Sequence, residues 1–264
     1  VVVGESDGVT RWLYFNAGVI GDGVGFESML GKRPYSPPEL AAIARNVKAL
    51  TALANKNQLK FLIAVCPDKQ TVHSEYLPKS MRPAPGTLSR LDQFWAMARG
   101  LDGVPLVDLR PPLRAAKATF PVYFPTDTHW NQRGAFIAYE TIAQALQLQD
   151  PSREPIPAES VQWKPSEPLI CDLTKMLGVP SSVAVPYLLP VVPSQLPIKR
   201  QGKLLILGDS FSNFLLPHFE RQFATVKKIH GVWPAGVFSI TQEMLNAEKP
   251  DVVILESLER YWTM

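Results

Sequence analysis

Three short apolar runs constrain this chain most: residues 59–65 (LKFLIAV), 203–207 (KLLIL) and 251–255 (DVVIL). Each is rich in Val, Ile and Leu and lacks the polar alternation of a half-exposed strand. Such runs suit strands covered on both faces, as in a parallel sheet with helices on either side. Amphipathic stretches surround them. Ser36-Pro37-Pro38-Glu39 opens a helix, with Ser36 as cap, Pro37 at the first helical position and Glu39 completing a capping box. Leu40, Ile43, Val47, Leu50 and Ala54 then recur every three to four residues. Residues 87–99, 131–146 and 211–223 read as further helices, 239–242 opens another, and 12–15 and 104–107 read as short strands. Strands alternating with helices predict an α/β fold built on a doubly wound sheet. The 264 residues are read as one domain, 1–264.

Proline interrupts this pattern in one place. Ten of the 25 prolines fall between Pro151 and Pro197, where no period of 2 or 3.6 persists. Residues 150–200 therefore read as an irregular, Pro-rich insertion with room for short edge strands, stiff enough to act as a crossover and to form one wall of a cleft.

The charge balance narrows the function. There are 27 basic and 24 acidic side chains, a net charge of +3, with no concentrated basic stripe. Nucleic-acid binding is not expected. No stretch reaches the roughly 18 apolar residues of a membrane helix. The chain opens Val1-Val2-Val3-Gly4, without a signal sequence, as expected if a targeting or anchoring segment is absent from it. Cys66 and Cys171 make no disulfide framework and no metal spacing; they read as one buried and one loop thiol, with a single bridge between them as the alternative.

Two motifs carry chemistry. Gly208-Asp209-Ser210-Phe211 lies where a strand gives way to a helix, at the edge where open α/β sheets bind ligands. There Ser210 is either a nucleophile beside a helix start that favours an oxyanion, or part of a helix cap with Asp209. Asp127-Thr128-His129-Trp130 supplies an acid and a base just before a helix. It is either a catalytic pair, a structural helix entrance, or half of a metal site, although His73, His218 and His230 show no ligand spacing. Taken together, Asp127, His129 and Ser210 make up the parts of a triad.

With these residues in view, the sequence resembles the SGNH hydrolase-like domain of the AlgJ/AlgX-type alginate O-acetyltransferases. GDSF resembles the SGNH nucleophile block. TDTHWNQRG at 126–134 is the most specific piece, and the motif order is circularly permuted relative to common SGNH esterases. Trp12-Leu13-Tyr14-Phe15, the block from Val65-Cys66-Pro67-Asp68-Lys69 to Tyr76-Leu77-Pro78, and 251–260 add to the likeness, which covers most of 9–146 and 201–262 but not the proline-rich stretch.

The resemblance implies a flavodoxin-like, mostly parallel sheet flanked by helices. It also implies acetyl transfer through an acetyl-serine, with Ser210 as nucleophile, His129 as base and acid, and Asp127 orienting His129. The acceptor would be a bacterial exopolysaccharide, alginate- or cellulose-like. The acetyl group would be relayed by a membrane-bound O-acyltransferase alongside other exopolysaccharide-synthesis subunits, in the periplasm. No cofactor or metal is implied. Trp130, Tyr123, Lys69, Arg260 and Tyr261 are the candidates for sugar contact. One oxyanion donor is the Ser210 N–H; the second is unassigned. A carbohydrate acetylesterase with the same triad and a silent polysaccharide-binding subunit are the alternatives.

Overall fold

The computed structural model describes residues 1–16, 25–179, 187–193, 196, 198–230 and 240–261. A hairpin comes first, β1 (Val2–Ser6) and β2 (Arg11–Tyr14). The helices α1 (Phe26–Met29) and α2 (Pro37–Lys56) lead to β3 (Lys60–Cys66). Then follow α3 (Lys69–Val72), α4 (Arg90–Ala98), β4 (Leu106–Asp108), α5 (Arg110–Ala116) and α6 (Gln132–Gln149). The proline-rich stretch carries β5 (Gln162–Pro165), α7 (Asp172–Met176) and β6 (Leu188–Val191). The chain closes with β7 (Lys203–Gly208), α8 (Leu216–Gln222), β8 (Thr225–His230), α9 (Gln242–Glu248) and β9 (Val252–Leu258).

Five strands form one sheet in the order β4-β3-β9-β7-β8. Every pairing in it is parallel. The three apolar runs are its three inner strands. Their alternate residues face two separate cores: Leu62, Ala64, Leu204, Ile206, Val252 and Ile254 point into one, while Phe61, Ile63, Leu205, Val253 and Leu255 point into the other. Both sets are buried, which is why no polar alternation shows in the sequence. On one face lie α5, α6 and α8 with Trp12 and Tyr14 of β2; on the other lie α2, α4 and α9. Each fully buried aliphatic or aromatic side chain contributes roughly 1.5–3 kcal/mol.

The helix starts follow their caps. Ser36 with Glu39 and Ser89 with Asp92 form reciprocal capping boxes. The Asn131 side chain accepts from the N–H groups of Arg133 and Gly134. Thr241 caps α9, while Ser239 of the expected capping pattern lies outside the described residues.

The expected helix over 211–223 is divided. Ser210–Phe214 is a 3-10 turn capped by Asp209, and α8 begins afresh at Leu216 with Pro217 in its first turn. Within the described part of residues 150–200, β5 and β6 pair antiparallel as a short two-stranded sheet apart from the main one, and Ile156, Val161 and Leu173 are buried. Cys66 and Cys171 are both free and both buried, so the expected loop thiol is in fact an interior one.

Candidate active site

The carboxyl ends of β3, β7 and β9 are where the sequence motifs emerge. β7 ends at Gly208, where a Cβ would lie 2.5 Å from Glu256 Oε2 and 2.9 Å from Ser212 Oγ, so only glycine fits. The next residue is pinned on three sides. The Asp209 N–H donates to Glu256 Oε2 (3.0 Å). Its Oδ1 accepts from the Phe211 N–H (2.8 Å) and its Oδ2 from the Leu258 N–H (3.1 Å). Asp209 is therefore the cap, and Ser210 is left to face the crevice. As the first residue of the turn, Ser210 has a backbone N–H outside the intrahelical ladder.

Opposite it stands His129. Its Nε2 lies 2.7 Å from Ser210 Oγ and its Nδ1 2.7 Å from Asp127 Oδ1. The two-residue spacing works because the chain turns: Asp127 Oδ1 also accepts the His129 backbone N–H at 3.0 Å. The imidazole packs against Phe211 and Phe214, at centroid distances of 4.8 and 5.6 Å. The sequence-predicted Asp127, His129 and Ser210 are thus brought into one hydrogen-bonded line.

A residue the sequence reading missed completes this loop. Asp172, at the start of α7, donates its N–H to Asp127 Oδ2 (2.7 Å) and accepts the Thr128 N–H on Oδ1 (2.8 Å). Its Oδ2 is 3.8 Å from His129 Nδ1. Burial alone would raise the Asp127 carboxyl, but the hydrogen bond and charge of His129, with the N–H groups of His129 and Asp172, hold it down at about 2. Asp172 goes the other way, raised by burial and then by the charge of Asp127. No periodic or motif signal surrounds Asp172; only its proximity to Cys171 in the proline-rich stretch marks it.

Among the described residues, Asp127, His129 and Asp172 bring three ligand atoms within 4.8 Å of one another and are the group that could hold a cation. Each is already engaged with its neighbours in the bonds just described.

Four of the five candidate sugar contacts are interior instead. Lys69 is 2 % exposed, Arg260 7 %, and Tyr123 and Trp130 0 %. Lys69 Nζ donates to the backbone oxygens of Phe124 (3.1 Å), Pro125 (3.0 Å) and Asp127 (2.6 Å), tying the Asp-His loop down from beneath. It also lies over the rings of Trp12 and Tyr14. Burial pushes it down to about 7, against the raising charges of Asp127 and Asp172. Arg260 pairs with Asp68, with Nε 2.8 Å from Oδ1. The Tyr123 hydroxyl donates to the Pro67 carbonyl, and Tyr123 bridges Trp130 in the hairpin that carries the loop. Trp130 packs edge-on to Phe211. A cation or a tryptophan near a catalytic motif suggests ligand contact, but here Lys69, Arg260 and Trp130 support the site from within, while buried Tyr123 also borders a cavity with Phe120 and Phe124. Tyr261 is half-buried and packs against the core.

Residues 6–214 match the family described as SGNH hydrolase-like domain, acetyltransferase AlgX. The chain belongs to this family. The match runs through the proline-rich stretch, which the sequence resemblance had left out. Among curated relatives, the chain is 39% identical over 90 residues to the "Probable alginate O-acetylase AlgJ" of Pseudomonas putida, covering 34% of this chain and 23% of the relative. It is 35% identical over 100 residues to the protein of the same name from Pseudomonas aeruginosa, covering 38% and 24%. The matched segments thus span about a quarter of those relatives. The solved O-acetyltransferase domain of P. putida AlgJ superposes with a TM-score of 0.62 at 24% identity, covering 100% of this chain and 92% of that one. Bacillus cereus PatB1, with a sulfonyl adduct, superposes with a TM-score of 0.61 at 14% identity, covering 88% and 94%. These likenesses establish the SGNH hydrolase-like fold, with its mostly parallel sheet flanked by helices. Among the described residues, no helix is long and apolar enough to cross a membrane.

Proposed function

We propose that this chain is a single catalytic domain that transfers acetyl groups to hydroxyls of an alginate-like exopolysaccharide, through an acetyl ester on Ser210. The observation that carries the reading is the hydrogen-bonded line Asp127–His129–Ser210, with 2.7 Å at both of its links. In the first half-reaction, Ser210 Oγ attacks the carbonyl carbon of an acetyl donor while His129 Nε2 takes the serine proton. The tetrahedral oxyanion is met by the Ser210 N–H and the positive end of the turn. Collapse expels the donor's leaving oxygen, which takes the proton from His129, and Ser210 holds the acetyl group. In the second half, His129 removes the proton of a sugar hydroxyl as it attacks the acetyl carbon. Ser210 Oγ then leaves and recovers that proton. Throughout, Asp127 stays ionised, its carboxyl held far below neutrality, and so stabilises the imidazolium formed in each half.

The names of the curated relatives support acetyl transfer over ester hydrolysis, and we further propose the periplasmic setting and the membrane-bound O-acyltransferase donor that the sequence resemblance implies. The test uses a chromogenic acetyl ester with and without an oligosaccharide acceptor. The unmodified chain should release the chromophore and yield acetylated sugar by mass spectrometry, and Ser210→Ala should do neither. Equal ester cleavage by both would refute the triad; acetate without acetylated sugar would make the protein an esterase.

A further inference from the structure

Beside the triad, and not part of it, lies a cavity of about 350 Å³. That is within the range of sites that take a small ligand. Its walls come from the β1–β2 turn, from residues 120–125, from the start of α6, and from Tyr187 and Leu188 of the proline-rich stretch. Phe120, Phe124 and Tyr187 supply aromatic surface of the kind that covers the C–H face of a pyranose. Phe124 also connects the cavity to the catalytic serine. It packs against Tyr187 on one side and against Phe214 on the other, and Phe214 in turn packs on the His129 ring. Two aromatic rings, Phe124 and Phe214, thus link the cavity wall to the base.

The polar groups of this cavity are unequal. Asp7 is spent on the hairpin: Oδ1 accepts the N–H groups of Val9 and Thr10, and Oδ2 accepts the Trp12 indole N–H. Asn131 is spent on the α6 cap and on the Pro121 carbonyl. Arg133 is not spent. Its guanidinium lies 4.3 Å above the Phe120 ring and 5.5 Å from the Trp163 ring. These rings fix its plane but satisfy none of its donors, and its Nε is buried without a hydrogen-bond partner. Among the described residues it forms no ion pair. A planar, pre-oriented guanidinium of this sort matches a carboxylate, which can accept two parallel N–H bonds.

We propose that this cavity is an acceptor subsite for a carboxylate-bearing sugar, with Arg133 as the partner of the carboxylate and Tyr187 as the wall against its ring. The proposal rests on the acetyl-transfer reading for its purpose, but its recognition chemistry is independent of the serine.

The experiment is calorimetric titration of the full chain carrying Ser210→Ala. The probes are a six-sugar oligouronate and the same oligomer with its carboxyl groups reduced to alcohols. The oligouronate should bind at least tenfold more tightly than the reduced oligomer. Arg133→Gln should remove that preference by weakening oligouronate binding alone, about tenfold or more, the loss expected for a charge-assisted contact. Arg133→Lys should fall between the two, because it keeps the charge and loses the fork. Tyr187→Ala should weaken both oligomers together. Equal affinity for the two oligomers, no binding of either, or an oligouronate affinity that Arg133→Gln leaves unchanged would each overturn the proposal. If circular dichroism shows Arg133→Gln unfolded, Tyr187→Ala decides, and unchanged affinities there overturn it. Ester cleavage by the chain with Ser210 intact is measured separately. Its absence, with the binding pattern present, refutes the catalytic reading and leaves the subsite standing.

Discussion

Replacing Lys69 by Met separates support of the catalytic loop from contact with substrate. Met keeps the length and the apolar stem between Trp12 and Tyr14 but removes the ammonium. Three carbonyls lose a donor, and their fates differ. The Pro125 oxygen still accepts the Leu13 N–H at 2.8 Å, whereas Lys69 is the donor recorded for the Phe124 and Asp127 oxygens. Two buried acceptors left unsatisfied cost roughly 1–3 kcal/mol each. Against this, the variant no longer buries an ammonium, a penalty of several kcal/mol. The net effect on stability is therefore small, about 0–3 kcal/mol, or a fall in Tm of roughly 0–12 °C at this chain length. Activity should suffer more. The Asp127 carbonyl belongs to the residue hydrogen-bonded to His129 Nδ1, and on the proposed mechanism a shift of about 1 Å at a reacting group costs roughly 100-fold. In steady-state cleavage of a chromogenic acetyl ester, kcat should fall about 10- to 100-fold while KM stays within about twofold. A rise in KM with kcat preserved would show that Lys69 meets the substrate, and an unchanged kcat would refute its hold on the loop. The pH dependence gives a second reading. The folded value of about 7 lies below the ordinary 10.5, so between these the unfolded chain holds more protons. The unmodified protein should gain stability relative to Lys69→Met as pH rises from about 7 towards 10, and the gap should be flat below 7.

Other perturbations test neighbouring contacts. Asp172→Ala removes the acceptor of the Thr128 N–H and should lower ester-cleavage kcat about tenfold, while Asp172→Asn, which can still accept that bond, should recover most of it. Gly134→Ala would place a Cβ 2.0 Å from the Val122 oxygen, so thermal unfolding should occur roughly 2–10 °C lower through overpacking. Glu256 is pushed well above 4.5 by burial and then by the charge of Asp209, so its folded form keeps a proton that the unfolded chain releases. The native protein should therefore lose stability as pH rises above about 4.5, and Glu256→Gln should lack that slope in denaturant titrations while matching the unmodified chain where Glu256 is protonated.

How much of this could be read in advance follows from which signals are local. The inner strands β3, β7 and β9 are apolar on both faces, so their sequences declare them. The edge strand β8 does not: Lys227 and Lys228 interrupt TVKKIH because one side of an edge strand is wet. The helix α5 was missed because Pro111 and Pro112 look like breakers although they sit in its first turn, where proline is tolerated. The Asp127, His129 and Ser210 arrangement was legible because each motif carries its own turn or cap chemistry. Asp172 was not, since it meets Asp127 across 45 residues of chain without period or motif. The roles of Lys69, Trp130 and Arg260 were misjudged for a related reason. Residue type suggests sugar contact, but whether a side chain faces the crevice or the core depends on how remote segments close over it.

The placement of β9 bears on when the protein can act. This strand follows every other described strand in the chain, yet it occupies the middle of the sheet, between β3 and β7. While a nascent chain lacks it, β3–β4 and β7–β8 are two separate ribbons. Asp209 then has neither the Leu258 N–H nor the Glu256 carboxyl to fix it. If Ser210 is the nucleophile proposed above, its turn is fixed only once β9 has entered the sheet, so the order of synthesis would time its activation.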